Sequence, residues 1–174
     1  PPQVKAVELA AKTTALLILD IEQRTTNPQR RPRAVASVPR IAALLAKARA
    51  SGMPVAYSLT GKGTPETILK EVTPRKGEPI VNASVDKFHG TALEAFLKKM
   101  GVKTVLVVGT SAEGAVLHTA TGAAIRGFDV VVPIDGMSSG ELYAEQYTAW
   151  HLVNAPGSRR RTTLTKMDMI RIKE

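Results

Sequence analysis

Residues 14–20 read TALLILD, a short and almost continuous apolar run that ends abruptly in the charge of Asp20. A strand buried on both faces has this pattern, whereas a strand with one exposed face alternates apolar and polar residues. Similar short runs, separated by polar or helical segments, occupy residues 54–59, 79–82, 105–108, 128–133 and 162–166. Strands that alternate with helices in this way predict an α/β domain with a doubly wound parallel sheet.

Composition supports one domain over residues 1–174. Hydrophobic residues make up 44% of the chain and aromatic residues only 4%, so the core must consist of Val, Ile, Leu and Ala side chains. The chain has no cysteine, which excludes disulfides, thiolate metal sites and a thiol nucleophile. It has no apolar run of the roughly 20 residues that cross a bilayer, and its start lacks the order of a signal peptide. We therefore expect a cytoplasmic protein.

Basic residues outnumber acidic ones by 24 to 15, which gives a net charge of +9. Part of the excess lies in two clusters, one of Arg30, Arg31 and Arg33 and one at residues 159–161. Such clusters either hold phosphate groups or are solvated loop segments. Neither has nearby aromatic residues for base stacking. The sequence therefore predicts no nucleic-acid partner and no membrane partner.

The sequence predicts four helices, and two of them have informative side chains. In the first, the apolar residues from Val38 to Ala48 recur at helical spacing, Ser37 is placed to cap the start and Gly52 follows the end. The second, residues 142–152, carries Tyr143, Tyr147 and Trp150. These aromatic side chains suit either a buried interface between subunits or the core. We favour the interface and expect a homo-oligomer.

Residues 61–78 have no sustained hydrophobic period and predict a long surface loop.

Candidate chemistry lies where strands end, because ligands of open parallel sheets bind at the carboxyl ends of the strands. Asp20 directly follows a buried strand, and it is either a base with a raised pKa or a turn cap. Gly109, Thr110 and Ser111 follow another strand and lead into a helix, whose free N–H groups suit an anion or an oxyanion. Asp135, at a third strand end, is interpreted as a loop anchor.

Four motifs in order resemble those of the isochorismatase-like hydrolases, which include nicotinamidases and carbamoylsarcosine amidase-like enzymes. They are LLILD at 16–20, FHGTAL at 88–93, GTSAEGAVLHTA at 109–120 and RGFDVVVPID at 126–135. The resemblance covers most of the chain and implies a three-layer α/β/α, Rossmann-like fold. Together with the element order, it predicts a six-stranded parallel sheet with strand order 3-2-1-4-5-6.

The resemblance also shows departures from the family. Ala115 occupies the position of the nucleophilic cysteine, and the family lysine falls on Asn82 in an ungapped alignment. Alanine has no lone pair, so covalent thiol catalysis is excluded. Lys87 could replace the missing lysine or form a surface salt bridge with Asp86 or another acid. The metal-binding Asp and His residues of nicotinamidases have no counterpart, and we expect neither metal nor cofactor.

Two functions are consistent with these residues. In the first, the protein is a hydrolase of a small polar molecule that works without a thiol, as true isochorismatases do, with Asp20 as general acid or base and Asn82 orienting substrate or water. In the second, it is a non-catalytic member that binds a small ligand or a partner protein. The remaining candidate substrate-binding residues, some of them next to a peptide at 110–111 that is cis in the family, are Lys87, Phe88, Thr110, Ser111 and Gly114.

Overall fold

The computed structural model describes all 174 residues, Pro1–Glu174. The strands are β1 (Val7–Ala10), β2 (Thr14–Leu19), β3 (Val55–Leu59), β4 (Ile80–Asn82), β5 (Thr104–Thr110), β6 (Asp129–Pro133), β7 (Met137–Ser138), β8 (Thr162–Thr165) and β9 (Ile170–Lys173). The α-helices are α1 (Pro32–Ala50), α2 (Leu93–Lys99), α3 (Leu117–Ile125) and α4 (Leu142–Asn154). None of the helices is long and apolar enough to span a membrane.

The central sheet is parallel, and its main strands lie in the order β4-β3-β2-β5-β6-β8. Numbered by themselves, these six strands have the predicted order 3-2-1-4-5-6, which is confirmed. A seventh, two-residue strand, β7, pairs with β5, and β1 and β9 form a separate parallel pair. The sequence analysis predicted none of these three strands. The connections diverge between β2 and β5, where ligands bind in folds of this kind.

Helices cover both faces of the sheet. Alternate residues of β2 point to opposite sides, because the side-chain period of a strand is two. Ala15, Leu17 and Leu19 join a core cluster with α2, α3 and α4, and Leu16 and Ile18 join a second cluster with α1. Every residue of β2 is buried, which explains why its sequence is a continuous apolar run.

Helix α1 begins five residues before the expected cap. Pro32 lies at the start of the helix, where its fixed φ and missing N–H cost nothing. Ser37 is therefore inside the helix and donates to the Ala34 carbonyl at 2.7 Å. The prediction of Ser37 as an N-cap was wrong. The loop at 61–78 is confirmed, with two short 3₁₀ turns at Pro65–Thr67 and Lys70–Val72.

The aromatic side chains of α4 lie on the surface. Tyr143, Tyr147 and Trp150 are 75%, 42% and 53% exposed, and the rings of Tyr147 and Trp150 stack with their centres 6.5 Å apart. Core packing, the alternative reading of these residues, is therefore wrong.

Candidate functional site

Three neighbouring strands end together at the point where the connections diverge. In the register of the sheet, Leu19 of β2 lies between Ser58 of β3 and Gly109 of β5. Asp20 follows Leu19 directly and has a φ of 55°, in the left-handed region that Asp tolerates better than most residues. The chain thus turns sharply at Asp20, at the carboxyl edge of the sheet.

Gly109 allows this close approach. A Cβ at this position would lie 2.1 Å from the Leu19 carbonyl oxygen, and its φ is +136°. Only glycine fits such a contact. The peptide bond between Thr110 and Ser111 is cis, as the resemblance to the isochorismatase-like hydrolases implied. A π-helical turn, Ala112–Val116, then leads into α3.

Asp20 is buried and carries two strong partners. The Ser58 hydroxyl donates to its Oδ1 at 2.7 Å, and the Lys87 Nζ lies 3.0 Å from its Oδ2. The Thr25 hydroxyl also donates to the Asp20 backbone carbonyl. Burial raises the pKa of the Asp20 carboxyl above its usual value, although the charge of Lys87 and the hydrogen bond from Ser58 oppose this rise.

Lys87 is fully buried, with a side-chain exposure of 0%. Its ammonium donates to the carbonyls of Leu59, Ala83 and Ser84 at 3.2, 2.9 and 2.6 Å. Burial lowers the pKa of this ammonium, and the charge of Asp20 opposes the effect. Lys87 is therefore not the surface lysine that the sequence also allowed, because its salt bridge is with Asp20 inside the protein.

A cavity of about 230 Å³ opens above this pair. Ten of its twelve lining residues are not hydrophobic. The twelve are Asp20, Arg24, Thr25, Arg30, Arg31, Thr60, Gly61, Ser84, Val85, Thr110, Ser111 and Ala115, of which Val85 and Ala115 are the hydrophobic ones. Asp20, Thr110, Ser111 and Ala115, four of the residues singled out from the sequence, thus share one cavity, with Lys87 against the carboxylate of the first.

Three of the expected site residues lie elsewhere. Asn82 is exposed at the end of the edge strand β4, where its amide donates to the Gly61 carbonyl at 3.3 Å, and it does not line the cavity. Phe88 packs in the core and stacks on Phe128 with ring centres 6.2 Å apart. Gly114 lies behind Ser111, whose Oγ would be 2.5 Å from a Cβ at position 114.

The sequence reasoning missed Ser58 and Arg24, and it named Arg30 and Arg31 only as members of a basic cluster. Ser58 is the last but one residue of an otherwise apolar strand that neighbours β2, and this hydroxyl beside a strand end was a usable signal. Arg24 gave no such signal, because it is a single basic residue in a polar loop. Nowhere in the chain do three His, Cys, Asp or Glu side chains form a group that could hold a metal ion.

Comparison with known proteins places the chain in a family. A family model described as the isochorismatase domain matches residues 14–163, which include every lining residue of the cavity. The chain belongs to the isochorismatase family. As a family member without a single cysteine, it cannot use a thiol nucleophile.

Several members of this family align with most or part of this chain. The uncharacterized isochorismatase family protein YecD of Escherichia coli O157:H7 is 30% identical over 165 residues, which cover 81% of this chain and 87% of the relative. The secreted isochorismatase effector Isc1 of Verticillium dahliae is 34% identical over 118 residues, 62% of each chain. The crystal structure of an isochorismatase family protein from Desulfovibrio vulgaris is 27% identical, has a TM-score of 0.79, and aligns with 90% of this chain and 95% of its own.

Proposed function

We propose that this isochorismatase-family protein is a hydrolase that acts on a small polar molecule through the buried Asp20–Lys87 pair, without a covalent thiol intermediate. The observation that carries the proposal is the 3.0 Å contact between Lys87 Nζ and Asp20 Oδ2 at a polar cavity. Two buried charges at one strand end are costly to keep, and groups of this kind concentrate in active sites.

Asp20 performs the proton transfers in this proposal. As a carboxylate paired with Lys87 it accepts a proton from the attacking water, and as the resulting carboxylic acid it delivers that proton to the leaving group. One water is added across the broken bond, and Asp20 returns to its ionised form. Burial raises the pKa of Asp20, which reduces the free energy needed to move a proton from water onto the carboxylate.

Lys87 and Ser58 act on Asp20. The Lys87 ammonium stabilises the carboxylate after its proton has left, and the three carbonyls that bind the ammonium hold it in place. The Ser58 hydroxyl fixes the other carboxylate oxygen. Asn82 has no role in this proposal, because it lies outside the cavity.

Ala115 supports the alternative of a non-catalytic member that binds a ligand or partner protein. It lines the cavity with only 3% of its surface exposed, and it stands where the resemblance places the nucleophile. If the family chemistry has been lost with the cysteine, the cavity is a binding site only.

We also propose that the protein is a homo-oligomer that associates through the exposed aromatic side chains of α4. Tyr143, Tyr147 and Trp150, three of the seven aromatic residues of the chain, lie on this one helix. Aromatic side chains of this size are enriched in protein interfaces.

A hydrolysis screen tests the proposed activity. Small amides, ureides and enol ethers are offered to the wild type, to Asp20→Asn and to Asp168→Asn, a control that removes an exposed carboxylate outside the cavity. We expect the wild type and the control to hydrolyse at least one compound at equal rates. We expect Asp20→Asn to be slower by about 100-fold or more, as for the loss of a general acid. Hydrolysis that survives in Asp20→Asn, or a wild type inactive on all three classes, would refute the proposal.

A further inference from the structure

The cavity above Asp20 is lined on one side by three arginines. Arg24, Arg30 and Arg31 belong to the loop between β2 and α1, and all three line it. The loop is tied to itself, because the Arg30 guanidinium donates to the Arg24 carbonyl at 3.1 Å and Asn27 Oδ1 accepts the Arg30 N–H at 2.9 Å. The three positive charges are therefore held together at one cavity.

None of these arginines forms a close ion pair with a carboxylate, although the more distant charges of Glu113 and Asp20 act on Arg31. Other arginines form close ion pairs, such as Arg33 with Glu145 at 2.6 Å and Arg49 with Glu78 at 2.6 Å. Arg24, Arg30 and Arg31 take part in none of the ion pairs of the chain. Asp20 faces the same cavity, but its charge is already matched by Lys87. The cavity thus carries an excess of positive charge.

Arg31 is the arginine most affected by this arrangement. It is half-buried, and its guanidinium donates only one long hydrogen bond, to the Thr25 carbonyl at 3.5 Å. Burial and the neighbouring charge of Arg30 lower the pKa of Arg31, and the charges of Glu113 and Asp20 oppose this effect only in part. A guanidinium has five N–H donors, and a bound oxyanion would satisfy several of them and oppose the repulsion from Arg30.

We propose that the substrate of this site is a small organic oxyanion whose carboxylate or phosphate group binds Arg24, Arg30 and Arg31 while its reacting bond lies at Asp20. The position of the reacting bond rests on the proposed function, whereas the binding of the anion by the arginines does not. The other lining residues suit such a ligand, since Thr25, Thr60, Ser84 and Ser111, which all carry hydroxyl groups, line the cavity as well. A volume of about 230 Å³ is smaller than the pockets that hold drug-sized molecules.

Isothermal titration calorimetry with succinate, inorganic phosphate and uncharged succinamide tests the binding, up to millimolar concentrations. The proteins compared are the wild type, Arg30→Gln, Arg31→Gln and a control, Arg160→Gln. Arg160 belongs to the other basic cluster and lines a separate depression with Pro156, so the control removes the same net charge elsewhere.

We expect at least one of the two anions to bind the wild type at least 10-fold more tightly than succinamide. Succinate as the better ligand would indicate a carboxylate substrate, and phosphate as the better ligand a phosphate ester. We expect Arg30→Gln and Arg31→Gln each to weaken this binding by about 10-fold, the effect of one lost charged hydrogen-bond donor, and Arg160→Gln to leave it within twofold. Added salt should weaken anion binding.

Three results would overturn the inference: succinamide binding as tightly as both anions, equal weakening by Arg160→Gln and Arg31→Gln, or no anion binding at all. Asp20→Asn separates this inference from the proposed hydrolase. It removes a negative charge from the cavity and should bind anions at least as well as the wild type. Anion binding without hydrolysis would leave the arginine site standing and refute the hydrolase. Asp20-dependent hydrolysis of a neutral compound without anion binding would leave the hydrolase standing and refute the arginine site.

Discussion

Asp20 and Lys87 form an ion pair that the fold must hold in its interior. Their exposed side-chain fractions are 6% and 0%, and their separation is 3.0 Å. Burying two charges costs free energy that their attraction and hydrogen bonds offset only in part. Removing one partner is worse still, because the other charge then stays buried without compensation.

A double-mutant cycle on this pair should therefore be strongly non-additive. We expect Asp20→Asn and Lys87→Met each to lower the free energy of unfolding by about 3 kcal/mol or more, and the double variant to lose much less than the sum. Urea unfolding followed by circular dichroism measures all four proteins. The same cycle on Asp129 and Arg161, an ion pair at 3.2 Å that is largely exposed, should give a coupling below about 1 kcal/mol. Additive losses at Asp20 and Lys87 would contradict the buried pair.

Single residues of the site were predictable from the sequence to different degrees. Asp20 was predictable, because a charge directly after a continuous apolar run must lie at a strand end. Lys87 was named only as a replacement for the family lysine, whose position falls on Asn82, or as a surface residue, since counting residues from Ala115 gives no information on how the chain between β4 and α2 folds back. That segment places Lys87 at the edge of the sheet, where its ammonium donates to the carbonyls of Leu59, Ala83 and Ser84.

Elements were predicted best where a single rule governs them. Five of the six main strands are largely buried, and their apolar runs follow from that burial, whereas the edge strand β4 is partly exposed. β7 has two residues, and β1 and β9 pair outside the main sheet, so none of these three strands produces a run of this kind. The start of α1 was misplaced because a serine cap was preferred over Pro32, which is an equally good first residue of a helix.

Strand β5 depends on Gly109 to approach β2. We expect Gly109→Ala to lower the free energy of unfolding by about 3 kcal/mol or more, because its Cβ would meet the Leu19 carbonyl oxygen and its φ is strained for alanine. Gly52→Ala is the matched control: it has a φ of +75° but open space around the new Cβ, and it should cost only about 1 kcal/mol. Chemical denaturation distinguishes the two. Equal losses would mean that the β2–β5 contact is not tight.

At the scale of the whole molecule, the exposed aromatic side chains of α4 set the expected assembly. We expect light scattering at micromolar concentration to give at least about twice the 18.6 kDa mass of one chain. We expect Tyr147→Ser with Trp150→Ser to shift the protein toward the monomer, since both rings are exposed on one helix face. Tyr57→Phe, a buried aromatic change away from α4, serves as control. A wild type that scatters as a monomer would refute the proposed association.

The central claim is that Asp20, paired with the buried Lys87, shares one cavity with Ala115 and three arginines, and that this cavity is electropositive. Ala115→Cys tests it directly, because the chain has no other cysteine and the new thiol lies in that cavity. The charge of Lys87 is matched by Asp20, and Arg24, Arg30 and Arg31 add a positive field, so the thiolate should be favoured. Ala6→Cys, at an exposed position outside the cavity, gives the reference.

The decisive measurement is iodoacetamide uptake against pH, followed by mass spectrometry. We predict that the Ala115→Cys thiol titrates below the usual cysteine value of about 8.5 and below the Ala6→Cys reference. A thiol at position 115 that titrates at or above that reference would show that the cavity offers no effective positive charge, and the account of the site would be wrong.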